Sequence, residues 1–317
     1  MRNSHRRLPS LNADITTAMV AFPPANPLTG ESLLPLSAMR RTAATAAHVI
    51  LESTNVRLLV DPLLRSDVPF FVDPKVPLTE HRLNLGLPGA AAVLVYAEDA
   101  LRVCDFTFNA WGQNVLPHSR EGRFGSWLAG ELGLDADFSL LSFSTSDMVH
   151  DGSDTVVLSE QSLLNPKRNP GWSKGAVERE LTRMLGAERF VWVPGRARSS
   201  VFFANDSTAV VQLPQEHEES FDQALEIAAL IEGTQNASGK HYEVLTIHPS
   251  VSRQAYLDVT LVNDQLLLPS YDEPSDAAAL QFYRDLFPNK VIHQVNSRPL
   301  VQHGLSWSDL LLLVPAR

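Results

Sequence analysis

Within seven residues near the end of this 317-residue chain stand His303, Ser306, Ser308 and Asp309, which together carry the hydroxyl, imidazole and carboxylate of an acyl-transfer apparatus. Such sets are assembled across a fold by geometry, not by adjacency, so closeness in sequence favours an ordinary structural role. The single cysteine, Cys104, lies between Val103 and Asp105 on a predicted strand and reads as a small buried core thiol. Ten histidines are dispersed without His-x-x-x-His spacing, so neither a metal nor a cofactor is expected. His217 and His241 sit in charged, turn-like sequence and are expected to face solvent.

The elements that would position these groups repeat along the chain. Val201–Leu213 and Tyr256–Leu268 are apolar runs interrupted at Asn205-Asp206 and Asn263-Asp264, the pattern of two short strands joined by a tight turn. Each precedes a stretch with apolar residues three or four apart, Glu218–Ile231 and Asp276–Phe287, and each stretch returns to a strand, Tyr242–His248 and Lys290–Val295. The unit is ββαβ. A strand around Phe106, helix Phe124–Leu134 and strand Phe138–Ser144 give another copy. Thr155–Leu158, Lys174–Leu185 and Phe190–Val193 give the next, with Ser173 as N-cap of its helix and Asn165, Arg168 and Asn169 as a turn and helix-entry device. Repetition of one unit points to a propeller-like repeat architecture and away from an open α/β sheet.

Four collinear segments carry a resemblance: VDPLLRSDVPFFV at Val60–Val72, CDFTFNAWGQ at Cys104–Gln113, VVLSEQSLLNPKRNPGWSK at Val156–Lys174, and the run from Tyr256 through the stretch Asp276–Phe287 to Val295. They resemble agmatine deiminases and the bacterial-type peptidylarginine deiminases. The resemblance implies an α/β fold of pentein type, a propeller of ββαβ repeats with the site at its centre. TTAMVAFPP at Thr16–Pro24 is similar to the family's first strand, with fewer residues before Val60 than usual, so the first repeat is expected to be truncated. Residues 1–13 are expected to be a disordered basic tail and residues 14–317 one domain. LLLLVPAR at the end is expected to complete the last strand.

The family attacks a guanidinium carbon with a cysteine thiolate, aided by a histidine and by carboxylates that grip the cation. Carried over residue by residue, Ser308 stands at the nucleophile's place and Trp307 at the histidine before it, with Gly304 keeping one glycine and His303 alongside. Arg196 and Arg198 take the central histidine and aspartate, where cations would repel a guanidinium. Ser66 takes another aspartate, with Asp67 one residue late. Ser144–Ser146 take the carboxylate strand, with Asp147 and His150 out of register. Asn109 and Trp111 match the family and either shape the ring or contact a ligand. The departures imply that guanidine hydrolysis has been abandoned. Ser308 and His303 are then the candidate catalytic residues, and Trp307, Arg196, Arg198, Ser66, Asp67, Asn109 and Trp111 the candidate ligand contacts.

A buried basic pair without counter-charge would favour an anionic or neutral ligand, as in a repurposed enzyme of specialised metabolism. The alternatives are a catalytically silent relative with a regulatory or structural role, or an active deiminase in which the site aligns differently. A formal net charge of -10 and the absence of a basic stripe argue against nucleic acid. No apolar run reaches the ~18–20 residues that span a bilayer. One cysteine excludes an internal disulfide and fits a reducing, cytoplasmic setting. The partners expected are a small-molecule ligand and, as in relatives, a homo-oligomer.

Overall fold

In a computed structural model, residues 6–24, 33–82, 87–90, 92–98, 100–112, 120–249 and 255–317 are described. The chain starts with β1 (Arg6–Arg7) and β2 (Ile15–Ala21), passes through α1 (Leu33–Leu51) to β3 (Asn55–Val60), and adds the short β4 (Leu78–Glu80). The second unit is β5 (Ala92–Ala97), β6 (Ala100–Thr107), α2 (Phe124–Leu132) and β7 (Asp135–Ser142). The third is β8 (Met148–His150), β9 (Thr155–Ser159), α3 (Lys174–Leu185) and β10 (Arg189–Val193). The fourth is β11 (Val201–Phe203), β12 (Thr208–Gln212), α4 (Ser220–Glu232) and β13 (Glu243–Ile247). The fifth is β14 (Thr260–Val262), β15 (Gln265–Ser270), α5 (Ser275–Leu286) and β16 (Val291–Asn296).

Within each of units two to five an inner strand pairs antiparallel with a middle strand, and a helix carries the chain to an outer strand parallel to the middle one. Among the described residues, the first unit has no inner strand in its own stretch of chain. The C-terminal β17 (Leu311–Pro315) supplies it, antiparallel to β2, with Leu311 opposite Val20. Residues of all five inner strands, β5, β8, β11, β14 and β17, line one cavity of about 240 Å³ along the middle of the molecule.

Local sequence accounts for these elements. In α3, Val177, Leu181, Met184 and Leu185 are wholly buried at helical spacing, each contributing roughly 1.5–3 kcal/mol. Ser173 accepts a hydrogen bond from the Ala176 N–H and caps the start, as its sequence predicts. Gly186 ends the helix with φ 76°, and a Cβ there would lie 2.0 Å from the Arg6 carbonyl oxygen. Gly186→Ala therefore combines left-handed strain with displacement of β1, and a loss of at least about 1 kcal/mol is expected in urea unfolding. An unchanged midpoint would mean that β1 is not held against this turn.

The expected disordered tail is corrected from residue 6 onward. Arg6 and Arg7 pair with Ala97 and Tyr96, the Arg6 guanidinium donates to Asp137 at 2.7 Å, and Leu8 is buried. Basic residues without an apolar pattern read as tail, yet these cations find carboxylate and aromatic partners on a sheet edge. Residues 1–5 lie outside the described residues.

Candidate functional site

The two longest motif segments lock together. Asn109 donates to the Arg168 carbonyl at 2.8 Å and accepts from the Ser142 hydroxyl at 2.8 Å and the Gly112 N–H at 3.1 Å. Asn169 accepts from the Ser142 N–H and donates to the Ser142 and Leu163 carbonyls. Gly112, with φ 81°, lies so close to the Lys167–Arg168 peptide that a Cβ would meet it at 2.9 Å. Ala110 and Trp111 both take positive φ, 50° and 56°, a strained pair that turns Trp111 to the wall of a polar cleft. Asn109, by contrast, is occupied in holding the two segments together.

The cleft, about 410 Å³, is walled by Trp111, Ser146, Gln161, Asn165, Arg196 and His303, with Asp147, Arg168 and Asp309 deeper. Ser144, Thr145 and Asp147 form a short turn in which Ser144 and Asp147 cap each other reciprocally. Arg168 reaches across to Asp147 with two bonds, Nη1 to Oδ1 at 2.8 Å and Nη2 to Oδ2 at 2.5 Å, with both side chains almost completely buried. The Ser162 hydroxyl adds a bond to Oδ1 at 2.6 Å. Asp147 is thus saturated and offers no free carboxylate to a cationic ligand.

Arg196 is exposed and donates to the Gly304 carbonyl at 3.2 Å. Arg198 lies deep, its Nε donating to the Thr145 carbonyl at 3.3 Å, and burial pushes its guanidinium down against the pull of Asp258 and Asp309. The expectation of a buried basic pair without counter-charge is corrected on both points: one arginine is at the surface, and two carboxylates face the other. Burial raises both of those carboxyls, Asp258 to about 6. Each keeps one buried oxygen without a hydrogen-bond partner among the described residues. Asp258 and Ser306 line a second recess, about 360 Å³, which shares Arg196, Gly304 and Leu305 with the cleft.

The C-terminal set resolves into capping. Ser306 and Asp309 close a capping box on the helix Trp307–Leu310, with the Ser306 N–H and hydroxyl donating to Asp309 at 2.9 and 3.0 Å. Ser308 belongs to this helix, and its side chain is outside the described residues. His303 is half-buried on the cleft wall. Trp307 is wholly buried, its indole N–H donating to the Ser297 hydroxyl at 3.1 Å and its backbone N–H to Asp258 at 2.7 Å. It borders the axial cavity, not the cleft.

Ser66 and Asp67 line neither space; Ser66 is exposed, and Asp67 pairs with Arg40 at 3.0 Å. Cys104 is wholly buried, its thiol donating to the Met184 carbonyl at 3.0 Å, and burial pushes it up to about 12. A thiol in that state supplies no thiolate at neutral pH. Among the described residues no group of three or more histidine, cysteine or carboxylate side chains could hold a metal. None of the helices there is long and apolar enough to cross a membrane. Sequence reasoning missed Asp258, a carboxylate inside the apolar run YLDVTLV, where an unpaired charge should have signalled a polar interior.

Comparison with known proteins places the fold. The chain aligns over 300 residues, at 24% identity, with a Streptomyces coelicolor protein named "Putative agmatine deiminase", covering 85% of this chain and 87% of that one. The structure of the agmatine deiminase of Enterococcus faecalis superposes with a TM-score of 0.88 at 19% identity, covering 99% of this chain and 96% of that one. The DDAH from Pseudomonas aeruginosa, a pentein, follows at a TM-score of 0.54 and 9% identity, covering 95% and 100%. The expected mixed α/β pentein-type fold is therefore the fold observed. Residues 8–306, ending two residues short of Ser308, match the profile of the Porphyromonas-type peptidyl-arginine deiminases, and the chain belongs to that family.

Proposed function

We propose that this agmatine deiminase-like protein no longer hydrolyses guanidines and instead holds a small neutral or anionic molecule in the polar cleft. The observation that carries the reading is the state of the one thiol: Cys104 is wholly buried, bonded to a carbonyl and pushed up to about 12, so the thiolate on which guanidine hydrolysis depends is lacking. The acids nearby support it. Asp147 is saturated by Arg168, and the oxygens that Asp258 and Asp309 keep unpartnered are buried, on carboxyls that burial raises toward the neutral form, so a guanidinium would enter without a readily ionised carboxylate to grip it. Exposed Arg196, half-buried His303, Gln161 and the Trp111 ring instead suit a planar or acidic ligand.

Ammonia and citrulline release from agmatine and from arginine peptides tests this directly, beside Ser308→Cys. No turnover is expected from either protein, because restoring the nucleophile leaves the arginines and the occupied carboxylates in place. Turnover by the natural protein would overturn the reading.

A further inference from the structure

The axial cavity shares no lining residue with the cleft among the described residues. Its walls are the apolar side chains of the five inner strands, including Val93, Val149, Phe203, Leu261 and Leu313, and the segment Leu8–Leu11 borders it as well. Polarity is concentrated in Arg198 and His150, close enough that Arg198 helps to depress the histidine. The Gly152 N–H donates to His150 Nδ1 at 3.1 Å, which leaves the proton of the neutral ring on Nε2. Among the described residues that Nε2–H and the terminal nitrogens of Arg198 have no hydrogen-bond partner, although Asp258 and Asp309 act on Arg198 through charge alone. Both side chains are only partly buried although they lie deep. An interior that keeps accessible surface around unmet donors is a chamber with a polar pole. Ser10, Thr145 and Thr260 are its other polar lining residues.

We infer that this chamber takes an aliphatic carboxylate, its head on Arg198 and the Nε2–H of His150 and its chain along the apolar inner strands. A guanidinium fork matches a carboxylate geometrically, the imidazole N–H adds a third donor, and the remaining wall rewards methylenes. The inference stands apart from the proposed function, which places its ligand in the cleft, where Arg198 is not a lining residue. The ammonia and citrulline assay interrogates the cleft alone, so the two can fail separately.

Octanoate is the probe, titrated into the full chain by calorimetry and thermal shift, with acetate and octanol as controls for head and tail. Octanoate is expected to bind and raise the melting temperature, with each control at least about tenfold weaker. Arg198→Gln, which keeps a donor but loses the charge and the fork, is expected to weaken octanoate about tenfold or more. Leu261→Phe fills the chamber without touching the polar pole and is expected to weaken octanoate while leaving acetate unchanged. Equal shifts from octanoate and acetate, or octanoate binding retained in both variants, would overturn the inference. So would no octanoate binding by the natural protein.

Discussion

Replacing Arg168 with methionine is expected to lower folding stability by about 3–5 kcal/mol, because it strands the Asp147 carboxylate inside the protein. The pair is nearly inaccessible, with side-chain exposures of 1% and 4%, and its geometry is bidentate. Asp147→Leu alone leaves the mirror problem, an unpaired guanidinium, and should cost a similar amount. The double variant should recover much of the loss, since exchanging a whole buried pair for apolar groups is often close to neutral. Urea unfolding of the four proteins closes the cycle. If Arg168→Met lost less than about 1 kcal/mol, water would have to reach this pair and Asp147 would be open to ligands after all.

A second large effect concerns pH. Burial, helped by Arg198, depresses His150 from 6.5 to about 4, so between those values the unfolded chain binds the extra proton and stability rises with pH. Burial raises Asp258 from 3.8 to about 6, so across that window the folded state binds the extra proton and stability falls as pH rises. Each window is worth about 3 kcal/mol at 1.36 kcal/mol per pH unit, and the two overlap with opposite sign. Asp309, also raised, acts in the direction of Asp258. The natural protein should therefore show a shallow profile between about pH 4 and 6. His150→Gln should unmask a decline of at least about 3 kcal/mol over that range, with Asp309 adding to Asp258, and Asp258→Asn a rise limited by Asp309. Identical slopes in all three proteins, measured as chemical stability against pH, would refute the assignment of these groups to a buried cluster.

The fold was legible because its signals are local. Asn263 takes φ 52°, as an Asn-Asp turn suggests, and its amide also ties the fifth unit to the Ile15 and Ser53 backbones of the first. Helix α3 runs over the predicted residues, because cap, apolar spacing and terminal glycine agree. Helix α1 was not anticipated: AAT and AAHV between Arg41 and Ile50 give a broad small-residue face instead of a clear apolar stripe.

The site was far less legible, since its meaning lies in pairings across units. Arg168 read as part of a turn, and only the fold brings it to Asp147 from a neighbouring strand connection. Arg196 and Arg198, two residues apart, look equivalent in sequence, yet one is exposed and the other sits where the axial cavity meets the second recess. Ser306 and Asp309 share their spacing with many helix starts, and the capping box is what they form.

The last strand carries a consequence for synthesis. Because β17 completes the sheet that β2 begins, the first unit cannot finish its own sheet until Leu311–Pro315 are made. Units three to five each contain all their strand partners and unit two adds only β1, made before it, so these four can assemble in turn, while β2 waits with one edge unsatisfied until β17 is made. A nascent chain stalled before Leu311 should therefore be sticky at a defined place, the β2 edge, and a chaperone or a second nascent chain would find it there.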